Sequence, residues 1–463
     1  MRIRPSAALA TALILTVAGC ATGTGGEYAP AAEDFDAGAA TEEPLTIMGF
    51  GLDDEIGEVR FDLAEQAVDG TEVRLSEGGL DMQQFLSSLA SGDVPALIRA
   101  DRVQIGTLAS RGAIVPLDAC FDSAAYDTGE LDDAALAQVT FDGQVYGIPE
   151  FNSVQLTMAN QQLLDAAGLA LDDVNGSDPA AVTAANQALT VTDGGRLQVI
   201  GYDSKLPEFL PLWVHARGGA MLSEDGRTAR LDTPEVLEAL QWAVQIYDDQ
   251  GGFGTVKAFR DSADFFGAGN QFATGTIGAM PMEQWYVNVL NEVSPDAPVA
   301  FDAVRGADAT PMAYASGSAW AIPAGSPNPA AACTFATTMV DVETWLAAAQ
   351  ARADARVEAG QQFTGLLTAN DVADERIREE LITPSGNAAW DGAVEAMYEA
   401  NEHTFSFPAN PADADFQTAW RDAVNRVLNG QQEAGAALAQ AQEEAQRALD
   451  SAWEAWDTDQ GEQ

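Results

Sequence analysis

The chain has 463 residues and carries 71 Asp and Glu against 22 Lys and Arg, a formal net charge of −49. Repulsion from phosphate at that charge excludes general nucleic-acid binding and electrostatic docking on an anionic membrane. Disorder does not follow, because 47% of the residues are hydrophobic, enough for sizeable cores in roughly two to three domains.

Arg2 and Arg4 form a short basic start, and Ala7 to Ala18 is an unbroken run without charge. A bilayer core of roughly 30 Å needs about 20 helical residues, so this run is too short to span one; it has the length of a signal-peptide core. It ends Thr16-Val17-Ala18-Gly19-Cys20. This resembles a bacterial lipobox, in which small residues precede a Cys that is lipidated and becomes the mature N-terminus. Residues 1–19 are then a lipoprotein signal peptide, with Cys20 bearing the lipid. Residues 20–44, rich in Gly, Ala, Thr, Glu and Asp, form a flexible tether. No later stretch reaches membrane-spanning length.

From Leu45 the pattern alternates between strand and helix. Leu45 to Gly51 is a first strand ending in a Gly-bounded loop. Ile56, Val59, Leu63, Ala64, Ala67 and Val68 fall at helical spacing over 53–69. Thr71 to Leu75 alternates as a second strand, residues 81–91 carry Met82, Phe85, Leu86 and Leu89 on one helix face, and Pro95 to Ala100 is a short buried strand. Asn160 to Gly168 is a helix closed by its glycine. Thr233-Pro234 offers an N-cap followed by Pro at the first helical position, and Val236, Leu237, Leu240, Val244 and Tyr247 continue the stripe. The end is helical: Phe416, Trp420, Val424, Val427 and Leu428, then past Gly430 a stripe from Leu438 to Trp456. The alternation predicts an α/β protein with largely parallel sheets.

Two cysteines follow Cys20, at 120 and 333. Outside the cytoplasm such a pair favours a disulfide, although two small buried hydrophobes would give the same count. With only His215 and His403 to assist, no closed zinc site is expected, and neither a metal nor a cofactor is predicted.

Several segments, in order, resemble the extracellular solute-binding proteins of ABC importers, specifically the large sugar-binding family (family 1) that includes maltose-binding proteins. They are Ala109-Ser110-Arg111-Gly112-Ala113-Ile114-Val115-Pro116-Leu117; Asp142-Gly143-Gln144-Val145-Tyr146-Gly147-Ile148-Pro149; Gly218-Gly219 with Asp225-Gly226-Arg227; Phe272-Ala273-Thr274-Gly275 through Ala279-Met280 with Trp285 behind; and Ser316-Gly317-Ser318-Ala319-Trp320-Ala321-Ile322-Pro323 before Asn328-Pro329. Ala159 and Gln161 depart from the usual Tyr and Lys of the family's "Tyr-Asn-Lys". The resemblance implies a two-lobed periplasmic-binding-protein-like fold of type II, with lobe I from 45–149 and 305–375 and lobe II from 150–304 and 376–463. Cys120 and Cys333 then share lobe I, which is compatible with their pairing. It also implies a sugar ligand in the interlobe cleft, ABC permease subunits as partners, a monomer, and a position on the outer face of the cell membrane, anchored by lipid at Cys20.

The matching segments supply the candidate contacts. Sugars need aromatic platforms for their C–H faces and bidentate polar groups for their hydroxyl edges. Phe50, Asp53 and Asp54 occupy the loop after the first strand. Asp101-Arg102 stands where maltose-type members also carry Asp-Arg. Glu150 follows the Tyr-Gly-Ile-Pro crossing, and Phe209 and Trp213 precede the Gly-Gly pair. Glu283, Trp285 and Tyr286 follow Ala279-Met280; Gly317, Ser318 and Trp320 lie in a segment that lines the cleft in many relatives. His403 to Pro408 offers an aromatic wall. Each residue also has a plainer role open to it. The acids can be solvated surface charges, Asp101-Arg102 a local ion pair, and Trp213 a core residue, as Trp242 and Trp345 are by their helical spacing.

Two other classes compete. A secreted carbohydrate-active enzyme would need an acid and base pair, which 71 acids hide, but Gly-x-Ser-x-Gly, His-Glu-x-x-His, P-loop and Gly-x-Gly-x-x-Gly motifs are missing. A binding protein for a polyol, glycerol phosphate or an osmolyte would share the fold. The net charge favours a neutral or cationic ligand unless an Arg faces the cleft.

Overall fold

The computed structural model describes residues 41–462. The signal peptide, Cys20 and nearly all of the tether lie outside the described residues. The remainder is a mixed α/β structure built on two five-stranded sheets.

The first sheet has the order Val73–Glu77, Leu45–Phe50, Leu97–Asp101, Ser318–Ala321, Ile148–Pro149. Its first three strands are parallel, as βαβ connections require, and the last two pairings are antiparallel. The connecting helix Glu55–Ala67 starts where the Asp54 carboxylate accepts from Gly57 N–H at 2.9 Å. It buries Ile56, Phe61 and Ala64, and packs against helices Pro329–Met339 and Val342–Glu358. A disulfide joins Cys120, on helix Asp118–Ala124, to Cys333, on helix Pro329–Met339.

The second sheet has the order Val299–Ala303, Gln155–Asn160, Ile277–Glu283, Arg196–Tyr202, Val191–Asp193. Only the Ile277–Glu283 and Arg196–Tyr202 pair is parallel. The largely parallel sheets expected from the alternating pattern are therefore mixed. The cause is topological: the strands next to the passages arrive beside their neighbours running the opposite way, and Val191–Asp193 and Arg196–Tyr202 form a hairpin across Gly194-Gly195. Local signals held better. Asn160 caps helix Gln161–Ala167 through Leu163 N–H at 3.0 Å, and Gly168 closes it at φ +70°. Thr233 does stand at the N-cap of Pro234–Asp248, but its hydroxyl makes no capping bond and is buried without a partner.

The chain passes between the sheets three times. The first passage is Glu150 to Val154, the second lies between Ala303 and Ser318, and the third follows helix Asp371–Leu381, which packs on Val342–Glu358. The boundary expected at 375 falls inside that helix. The passage comes instead at 382–387, where Pro384 and Gly386 interrupt helix formation before Ala388–Asn401 packs on the second sheet. Backbone bridges Phe151 to Thr368 and Ser153 to Ser316 hold passage segments side by side. The C-terminal helices Asp413–Leu428 and Ala434–Glu462 pair with each other and touch both halves: Trp453 stacks on Phe141 at 5.1 Å, and the Leu231 N–H donates to Gln442 at 2.6 Å.

Candidate functional site

A cavity of ≈ 610 Å³ opens between the sheets, walled by Arg99, Asp101 and Ser318 from the first, Gln284, Trp285 and Asn288 just beyond strand Ile277–Glu283 of the second, and Phe151 to Ser153, Tyr314, Ser316 and Gly317 from the passages. Met397 and, from the C-terminal pair, Gln417 and Arg421 complete it. That size and its position between two lobes suit a small-molecule ligand, for which cavities of roughly 300–1,000 Å³ are usual.

Its floor on the first lobe is an ion cluster. Glu150 is 0% exposed; it accepts from Arg60 Nη1 at 2.7 Å, from Ser318 Oγ at 3.0 Å and from Arg99 Nε. Burial would raise the Glu150 carboxyl, but Arg99 and Arg60 together outweigh it and hold it at about 2. Arg60 is itself buried, its guanidinium lying 4.0 Å from the Trp345 ring and 5.1 Å from that of Phe151. Glu150 thus orients Arg99, which reaches the cavity, and has no surface of its own to offer a ligand.

Arg102 lies beneath the cavity wall, fully buried. Its Nη1 donates to Asn152 Oδ1 at 2.9 Å, while Nε and Nη2 have no partner. It forms no ion pair with Asp101, which is exposed and lines the cavity. Burial lowers the Arg102 pKa to about 10, against the pull of Asp132. Gly317 covers it: a Cβ there would sit 2.8 Å from Arg102 Nη2 and 2.0 Å from the Phe151 carbonyl oxygen, so only glycine fits.

Across the cavity Trp285 begins helix Trp285–Val293, half-buried, with its indole N–H donating to Glu283 Oε2 at 2.5 Å. This bond fixes the ring, and Trp285 lines the cavity. Behind it Tyr286 is buried, stacked on Phe265 at 4.2 Å and donating its hydroxyl to the Phe265 carbonyl at 2.8 Å. Phe266, 64% exposed, lies parallel to Trp285 at 6.1 Å. Phe405 and Phe407 stand against Tyr314, at 5.6 and 5.2 Å.

Of the residues singled out in the sequence, Asp101, Trp285, Gly317 and Ser318 line the cavity. Arg102 and Glu150 lie under it, and Glu283 holds Trp285. The structure does not bring the others there. Phe50 and Trp320 pack on each other at 5.3 Å in the first-lobe core. Asp53 is exposed, and Asp54 caps its helix and pairs with Arg352 at 2.6 Å. Phe209 is buried, and Trp213 is a core residue donating to the Ser204 carbonyl at 2.8 Å. Tyr286 supports its neighbours from below. Sequence reasoning missed Arg99, Phe151, Asn152, Gln284, Asn288, Tyr314 and Arg421. For three of them the signal was adjacency: Phe151-Asn152-Ser153 directly follows the crossing motif, and Gln284 lies between two residues that were chosen.

Among the described residues no group of three or more His, Cys, Asp or Glu could hold a metal ion, and no helix is long and apolar enough to cross a membrane.

Residues 61–357 match the family described as bacterial extracellular solute-binding protein. This is more than half of the chain, and the protein belongs to that family. No curated protein matches by sequence. Solved structures share the fold. The protein CpMnBP1 with mannobiose bound is 20% identical, with TM-score 0.67, covering 88% of this chain and 100% of its own. An ABC substrate-binding protein of Listeria monocytogenes in complex with cycloalternan is 18% identical, TM-score 0.66, covering 89% and 100%. The maltose/maltodextrin-binding domain of Bdellovibrio bacteriovorus bound to maltotriose is 17% identical, TM-score 0.61, covering 88% and 100%. The fold is the two-lobed type II binding-protein fold, and the family and these neighbours are binding proteins.

Proposed function

We propose that this member of the extracellular solute-binding family is the receptor of an ABC importer for a saccharide, held in the interlobe cavity and handed to permease subunits in the membrane. The observation that carries the reading is the cavity itself. It sets the one fixed, half-buried indole of Trp285 opposite a first-lobe wall of Asp101, Arg99 and Ser318, with the amides of Asn152, Gln284 and Asn288 between. An aromatic face for sugar C–H groups and short polar side chains for hydroxyls are what a saccharide needs. The structural neighbours with mannobiose, cycloalternan and maltotriose support the same class.

Lobe I consists of 45–149 and 305 to about 381, and lobe II of the rest, the C-terminal pair excepted, which spans both. Ligand contacts from both lobes favour the closed form by their differential affinity, and the permease reads that form. The chain works as a monomer without enzymatic turnover, tethered outside the cell by lipid on Cys20. Calorimetry against mono- and oligosaccharides tests the reading. Saturable binding at micromolar affinity or better, without product, is expected. A folded protein that binds none of them refutes it.

A further inference from the structure

In a chain of net charge −49 the cavity gathers a share of cations far above that of the chain as a whole. Four guanidiniums lie in or directly under its walls, those of Arg60, Arg99, Arg102 and Arg421, with the carboxylates of Glu150, Asp101 and Glu283 among them. Arg60 and Arg99 share Glu150. Arg102 and Arg421 have no carboxylate within ion-pair distance among the described residues, although acids outnumber bases more than three to one. Arg421 is exposed on helix Asp413–Leu428, its guanidinium 5.2 Å from the ring of its neighbour Trp420. Arg102 is buried, with Nε and Nη2 unsatisfied, and Nη2 lies just behind Gly317 of the cavity wall. Leaving two donors of a buried cation unpaired is costly unless something arrives to take up their charge.

Arg421 and Tyr314 line the same cavity, and Arg102 lies behind Gly317 of its wall. Burial, the largest effect, and Asp413 raise the Tyr314 pKa, while Arg421 and Arg102 work against them. Tyr314 lines the cavity, and its hydroxyl makes no hydrogen bond among the described residues. The other acids nearby are committed elsewhere. Asp132 accepts from Ala135 N–H at 2.7 Å and Thr404 Oγ1 at 2.8 Å, and Asp413 accepts from Asn410 Nδ2. Burial pushes the Asp374 carboxyl up to about 8 and raises that of Asp413 well above the ordinary range.

We infer that the ligand is an acidic saccharide, one whose carboxylate or phosphate group is seated on Arg421 and the Tyr314 hydroxyl, with Arg102 behind them. The inference rests on the saccharide reading and narrows it. Asp101, unpaired and exposed, remains to accept hydroxyls elsewhere in the cavity. A planar guanidinium binds either kind of oxyanion in a bidentate fork, so the shared chemistry is the acidic group and not its source.

Calorimetry on the full mature chain tests it with matched ligands: gluco-, galacto- and manno-disaccharides, the same sugars with a terminal uronic acid, and the same sugars as 6-phosphates. A charge-assisted fork predicts at least ~10-fold tighter binding of one acidic form than of its neutral parent. The preference should disappear in Arg421→Gln and persist in Arg196→Gln, which removes an equal charge from a strand outside the cavity. A uronate preference identifies the carboxylate as the source, a 6-phosphate preference the phosphate, and either supports the inference. Neutral disaccharides binding as tightly as acidic ones, or a preference that survives Arg421→Gln, overturns it and leaves the saccharide receptor standing. Failure of every ligand to bind the folded protein overturns both.

Discussion

Glu150→Gln keeps the shape of the side chain and removes the charge on which two arginines converge. Arg60 is then left buried with no counter-ion. It retains a bond to the Met339 carbonyl at 3.3 Å and its place over the Trp345 ring at 4.0 Å. Breaking a buried pair from one side typically costs about 3–5 kcal/mol. The titration gives a second estimate: a carboxyl at about 2 in the folded chain against 4.5 as the ordinary value implies ~3 kcal/mol of stability. Because the folded value is the lower one, this stability is present above pH ~4.5 and is lost as pH falls towards ~2. Denaturant unfolding of wild type and variant at pH 7 should therefore differ by ~3 kcal/mol, and the gap should close as pH falls below ~4.5 while both remain folded. A variant within 1 kcal/mol of wild type at pH 7, or a gap independent of pH, refutes the claim that this cluster anchors the cavity floor.

Trp285→Ala should weaken saccharide binding by about 1–3 kcal/mol in calorimetry and leave the melting temperature of the unliganded protein nearly unchanged, since the ring is half-buried. Gly317→Ala forces a Cβ onto the Phe151 carbonyl; about 1–3 kcal/mol of stability and most ligand affinity should be lost together. Replacing Cys120 and Cys333 by Ser should cost about 2–5 kcal/mol in denaturant unfolding, because the bridge spans 213 residues, and reductant should reproduce the loss in wild type.

Local order was legible where a single residue type carries the cause. Asn160 and Gly168 mark helix ends by chemistry that needs no tertiary partner, whereas Asp54, read as a ligand contact, is such an end as well. The pleat and the passages were not legible in that way. Ser318 and Trp320 lie two apart on one strand of the first sheet, yet Ser318, at the end of the strand, meets the cavity and Trp320, further in, the core. Arg99 lies inside a stretch that reads as a short buried strand; only the fold sets it against Glu150, 51 positions away. Arg421 could not be found at all from its helical stripe, since a solvated Arg and a ligand-facing one share the same spacing. Thr233 fails in the other direction: its position is right, but its hydroxyl is turned into the protein.

The arrangement also assigns the two walls different mechanical roles. Glu150 ties together the first helix through Arg60, a central strand through Arg99 and the returning strand through Ser318. Three elements joined at one carboxylate cannot shift separately, so the first-lobe wall moves as a unit. Trp285 is held by Glu283 of its own lobe and by the aromatic group around Phe265. A ligand bridging Trp285 and Asp101 therefore senses the distance between lobes and not the shape of either one. Affinity lost in Trp285→Ala and in Asp101→Asn should then be coupled, with the double variant losing less than the two single losses together, because each contact strengthens only in the closed form that the other stabilises.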